Sequence, residues 1–215
     1  MSKGIIITRP NHDLVTTYLF YWSQKIIEQA ERKNFKIFDL AKKRANAKEF
    51  VGIIKKISPS LVVINGHGSA SMVTGYNNEP ILESNSNSEL LKGTVAYARS
   101  CQSAKKLGSA AVKNGAKAYI GYSEDFFCMF DEQKITRPLE DQTAKLFLEP
   151  SNAVPISLLK GNTAGEAINR SKKILKKNIR NLLTSESPQQ EKDAVPYLLW
   201  NMNYQVCIGD EEARI

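Results

Sequence analysis

The chain has 215 residues, 42% hydrophobic and 24% charged, which suits one substantial core, and a single domain over 1–215 is expected. Thirty Lys and Arg against 22 Asp and Glu give a formal charge of +8, a balance that permits an acidic partner or nucleic acid without demanding one. Its 3 cysteines, Cys101, Cys128 and Cys207, are odd in number and widely spaced with no CxxC or His-rich tract, which argues against a disulfide framework or a zinc site. The apolar run after MSKG is too short for a secretory signal, and YLFYW at 18–22 falls far short of the roughly 20 residues a bilayer requires, so a cytoplasmic location is expected.

GIIIT at 4–8 is a continuous apolar run, the pattern of a strand covered on both faces. From Asp13 to about Lys33, the residues Leu14, Tyr18, Trp22, Ile26 and Ala30 recur every four positions behind an Asp13 cap and predict one amphipathic helix. FKIFDL at 35–40 is the second predicted strand, and 45–57 the second helix, closed by Pro59. LVVING at 61–66, TVAYARS at 94–100 and AKAYIGY at 116–122 supply three more strands, with room in VTGYNNEPIL for a small hairpin between the first two. Ser103 to Asn114 reads as a short helix ending at Gly115. Strands alternating with helices predict an α/β fold, a mostly parallel sheet with helices on both faces, in which ligands bind at the carboxyl ends of the strands. Further on, Thr163 and Glu166 form a capping box ahead of a helix with Ala164, Ile168, Leu175, Ile179 and Leu182 at core spacing. Its Lys172, Lys173, Lys176, Lys177 and Arg180 read as a solvated basic face in preference to a nucleic-acid surface. The stretches 84–88 and 184–193 read as polar loops, and 126–155 as a carrier of substrate-binding or regulatory loops.

Two strand ends carry reactive side chains: INGHGSA at 64–70 leaves His67 at its end, and YARSCQSA at 97–104 leaves Cys101. If the third and fourth strands are neighbours, both side chains meet at the carboxyl edge. A neighbouring imidazole or a helix N-terminus lowers a thiol pKa of about 8.5 into the reactive range, and the helix expected after Cys101 would place its positive end beneath the sulfur. Gly68 has no Cβ, so its amide can approach an oxyanion and, with the amide of Cys101, form an oxyanion hole. The structural alternative stays open: cysteine is among the most buried residue types, and Ala98, Ser100, Ser103 and Ala104 also suit a tight strand-to-helix junction. His12 is the only competing histidine base.

A strand ending in NGHGS, followed by a strand ending in ARSC and a small-residue helix, resembles the caspase-like cysteine peptidases, closest to their CHAT and gingipain branches. GAKAYIGYSEDF at 115–126 is similar to the strand after the catalytic helix, and YQVCIGDEEAR at 204–214 to the C-terminal strand and Gly-Asp turn of those branches. The caspase pentapeptide around the cysteine is absent, as is the aspartate that metacaspases carry two residues before it. The resemblance implies a three-layer caspase-like sandwich and a cysteine endopeptidase with a His67/Cys101 dyad. It implies proteolysis of a protein or peptide substrate, no metal or organic cofactor (some relatives are calcium-activated), and room for an activating or regulatory protein partner. No membrane or direct nucleic-acid contact is expected. It also implies that the position two before the cysteine, here Arg99, and the end of the first strand, here Arg9, line the pocket for the residue preceding the cleaved bond. Two guanidiniums there would favour an acidic residue; Arg99 paired with Glu124 or Asp125 is the structural alternative, and those acids or Asp39 in the pocket would favour a basic one. The rival class is a non-catalytic module that uses the same fold to bind a partner.

Overall fold

The β-branched runs of the sequence form strands and the four-residue periodicities form helices, in a computed structural model that describes residues 4–184 and 192–215. The polar stretch expected at 184–193 lies almost wholly outside the described residues. In chain order, β1 (Gly4–Arg9) leads through Asp13, the cap of Thr16, into α1 (Leu14–Trp22) and α2 (Gln24–Arg32). The single helix expected over 13–33 is therefore two. Ser23 interrupts it: its hydroxyl donates to the Leu19 carbonyl at 2.6 Å and accepts from Arg99 at 2.9 Å. Next come β2 (Lys36–Ala41), α3 (Ala47–Ile57) behind an Asn46 cap, and β3 (Leu61–Asn65). The excursion that follows is a separate antiparallel sheet of β4 (Gly68–Ser69), β5 (Met72–Thr74) and β6 (Pro80–Glu83), and it contains the expected hairpin.

The chain returns as β7 (Val95–Arg99). The regular helix expected from Ser103 is instead a π-helical turn, Ala104–Gly108, running into the short α4 (Ser109–Lys113). Tertiary contacts explain the wide turn: the amides of Lys106 and Leu107 both donate to the Ala70 carbonyl, at 2.9 and 3.0 Å, and a Cβ on Gly108 would lie 2.8 Å from the Tyr119 ring. β8 (Ala118–Tyr122), α5 (Gln142–Leu159), α6 (Ala164–Leu182), α7 (Val195–Tyr204) and β9 (Gln205–Gly209) complete the order.

The main sheet runs β2-β1-β3-β7-β8-β9, with β9 antiparallel to β8 and the other neighbours parallel. Alternate strand residues feed two cores. Ile5, Val63, Tyr97 and Ile120 pack with Ile26 of α2, Val154 of α5 and Ile168 of α6. Ile6, Val62, Ala96 and Tyr119 pack with Phe50 of α3 and Ala111 of α4. The result is the expected mostly parallel sheet sandwiched between two helical layers. The segment 126–155 holds more than loops, because α5 takes up its second half and is buried despite Pro150 and Pro155. Pro150 has no N–H for the Leu146 carbonyl, and Nδ2 of Asn178 on α6 donates to that carbonyl instead, at 3.0 Å. No helix among the described residues is long and apolar enough to cross a membrane.

Candidate active site

β3 and β7 are adjacent and parallel, with Asn65 opposite Arg99, so His67 and Cys101 each stand two residues past matched strand ends. The two segments then touch. A Cβ built on Gly68 would lie 2.8 Å from the Cys101 carbonyl oxygen and 2.9 Å from the Ser100 Cβ, so only glycine permits this approach. The turn after Gly68 is fixed to the segment after Cys101 by the two amides that the Ala70 carbonyl accepts.

The His67 ring is half-exposed, and its Nε2 lies 2.7 Å from Oδ2 of Asp13, which is itself held by the Thr16 amide at 2.7 Å and hydroxyl at 2.8 Å. Partial burial alone would raise the Asp13 carboxyl, yet hydrogen bonds from the Thr16 amide and hydroxyl and from His67 bring it below its ordinary value. His12 adds a second imidazole: its Nε2 is 3.2 Å from Asn78 Oδ1 and 3.5 Å from Asp13 Oδ2, and its ring centroid is 6.4 Å from that of His67.

Cys101 is part-buried, and its Sγ faces the Phe126 carbonyl at 3.9 Å; among the described residues no hydrogen bond joins it to the His67 ring. Burial, together with the Asp125 carboxylate, pushes the thiol up, opposite to the lowering expected from an imidazole and a helix N-terminus. Two of the first amides of that helix, those of Lys106 and Leu107, bond the Ala70 carbonyl and not the sulfur. The backbone is also strained at this point: Gln102 has φ +55, held by its amide on the Glu124 carbonyl at 3.0 Å and its Nε2 on Asp125 at 2.9 Å.

Neither arginine assigned to the substrate pocket presents an open cation. Arg99 is 0% exposed and donates to Asn65, Asn152 and Ser23. Glu124 and Asp125 are occupied elsewhere, with Lys105 and Gln102. Arg9 is nearly buried, paired with Asp39 and bonded to the Phe20 carbonyl and Gln24. Arg99 points inward, because Ser23 between α1 and α2 and Asn152 of α5 close over it. Sequence reasoning missed the roles of Asp13, Gln102 and Asp125. Only the capping role of Asp13 is visible locally; its partner His67 is 54 positions away. Among the described residues no group of three or more His, Cys, Asp or Glu is arranged to hold a metal ion.

No protein-family model and no curated protein matches the sequence. Among solved structures, the chain is similar to the Arg-specific cysteine proteinase gingipain R, with a TM-score of 0.62 at 11% identity over 99% of this chain and 47% of that one. It thus spans about half the length of the gingipain structure. Two C11 cysteine proteases also match at 12% identity: the secreted "iotapain" of Bacteroides thetaiotaomicron (TM-score 0.42, 58% of this chain, 53% of that one) and an inactive zymogen from Parabacteroides distasonis (0.43, 96% and 83%). The six-stranded sheet, its strand order and the likeness to gingipain R together give this chain the caspase-like α/β sandwich fold.

Proposed function

We propose that the chain is a cysteine endopeptidase in which His67 and Cys101 form the dyad and Asp13 holds the imidazole. The observation that carries this reading is the Gly68 contact on Ser100 and Cys101, which brings a histidine already tethered to a carboxylate against the segment bearing the thiol. With Nε2–H donated to Asp13, the ring keeps Nδ1 as the acceptor for the thiol proton. The resting thiol is neutral, so the proton leaves as substrate binds: Sγ attacks the scissile carbonyl while His67 takes the proton. The amides of Gly68 and Cys101 stabilise the oxyanion, His67 returns the proton to the departing amine, and the C–N bond breaks to leave a thioester. Water, deprotonated by His67, then hydrolyses the thioester and frees Sγ. This chemistry calls for no metal or organic cofactor, and its substrate is a protein or peptide.

Incubation with a diverse peptide library and mass-spectrometric detection of cleavage tests the proposal. Cleavage is expected from the unaltered chain and none from Cys101→Ala; turnover that survives Cys101→Ala would exclude the nucleophile. The orientation of Sγ toward Phe126 favours a second reading, a non-catalytic binding module. A peptidyl acyloxymethyl ketone separates the two, because it alkylates Cys101 selectively only where the dyad works.

A further inference from the structure

We propose that the cationic turn Lys42, Lys43 and Arg44, with Tyr76 and Asn11, is a subsite for the acidic side chains of the peptide substrate; this rests on the peptidase reading above. The turn directly follows β2 and so lies at the carboxyl edge of the sheet, the edge that carries His67 and Cys101. Its three side chains are exposed around a cavity of about 350 Å³ lined by Asn11, Ala41, Lys42, Lys43, Arg44 and Tyr76. Tyr76 links that cavity to the dyad: its ring is 5.4 Å from His12, whose ring is 6.4 Å from His67. β2 lies three strands from β7 at about 4.8 Å per strand, and an extended peptide advances about 3.3 Å per residue, so about five residues cross from one strand end to the other.

Most of the charge of the turn is unspent. Among the described residues no ion pair reaches Lys42 or Lys43; Lys42 Nζ lies 5.8 Å from the Phe20 ring, and Arg44 has a single exposed contact with Glu49 at 3.4 Å. Asp39, on the strand leading into the turn, is taken by Arg9. The turn is also preorganised. Lys42 has φ +53, the Ala45 amide donates to its carbonyl at 2.9 Å, and the Ala45 carbonyl accepts from Tyr76 at 2.7 Å. A Cβ on Gly75 would lie 2.0 Å from that same carbonyl, so the turn and the Tyr76 arm are locked together. The buried Arg9 and Arg99 are closed to substrate, whereas these cations are open.

Fluorogenic peptides carrying Glu at successive positions on either side of the cleaved bond, each matched with a Gln isostere, test the subsite. The Glu advantage in kcat/KM is expected to be about tenfold at one side and to fall with added salt. It should collapse in Lys42→Asn/Lys43→Ser/Arg44→Gln, where Asn tolerates the left-handed backbone, and in Lys43→Ser/Arg44→Gln, which leaves Lys42 in place. Lys172→Ser/Lys173→Ser/Lys176→Ser, an equal charge loss on α6, should preserve it. No Glu advantage, or an equal collapse in the α6 variant, overturns the subsite while leaving the peptidase reading intact. If no peptide is cut, the peptidase reading fails separately, and fluorescein-labelled Glu peptide binding to Cys101→Ala decides the subsite. Saturable binding lost in the turn variants supports it, and unchanged or absent binding overturns it.

Discussion

Asp13 carries two loads, capping the start of α1 and tethering His67. Asp13→Asn keeps a competent cap and removes the charge behind the imidazole, so the fold should persist while kcat falls about 10- to 100-fold with little change in KM. Steady-state kinetics checks this. The same carboxyl is lowered on folding, so the stability it adds is present above the ordinary carboxylate value near 4 and is lost as pH falls through the lowered one. Thermal melts from neutral to acid pH should therefore show a loss that Asp13→Asn lacks. At Cys101 the sign is opposite: burial and Asp125 hold the proton on, so alkylation by iodoacetamide should accelerate only at alkaline pH. Asp125→Asn retains an acceptor for Gln102, and the midpoint of its alkylation profile should move to lower pH. At this scale the sequence shows where His67 and Cys101 stand, just past the ends of two strands that the structure makes neighbours. It does not show the carboxylates that set their protonation, because those partners are joined by folding across tens of residues.

The strands are legible because their period and branched composition are local properties, and α6 is legible because its capping box and apolar spacing agree, as the burial of Ile168, Leu175, Ile179 and Leu182 bears out. The helices that departed from expectation did so through tertiary contacts: Ser23 divides α1 from α2 under the Arg99 guanidinium, and Ala70 draws two amides out of the helix after Cys101. α5 was hidden by its prolines, whose cost is offset by a side chain from another helix. That exchange makes a thermodynamic cycle. Asn178→Ala should destabilise by about 1 kcal/mol, because the Leu146 carbonyl is left without a partner. In a Pro150→Ala background, which restores a backbone donor, the same change should cost only a few tenths of a kcal/mol. Urea unfolding of the four proteins measures the coupling.

Over the whole molecule, one face of the sheet is covered by α2, α5 and α6 and the other by α3 and α4, and the carboxyl edge between them carries His67 and Cys101. One wall of that edge, 123–128, is held on one side by Gln102 and Lys105 and on the other by α7. Asn201 clasps both the amide and the carbonyl of Phe127, at 3.0 and 2.7 Å, Trp200 donates to the Asp125 carbonyl at 3.0 Å, and the Tyr204 carbonyl accepts the Ser123 amide at 2.9 Å. The order of translation then acquires a meaning. A ribosome delivers His67 and Cys101 before residues 195–204, and a domain generally folds as a unit. A chain halted short of Val195 would hold His67 and Cys101 beside a wall that lacks the Asn201, Trp200 and Tyr204 bonds, so the surroundings of Cys101 are complete only when α7 docks.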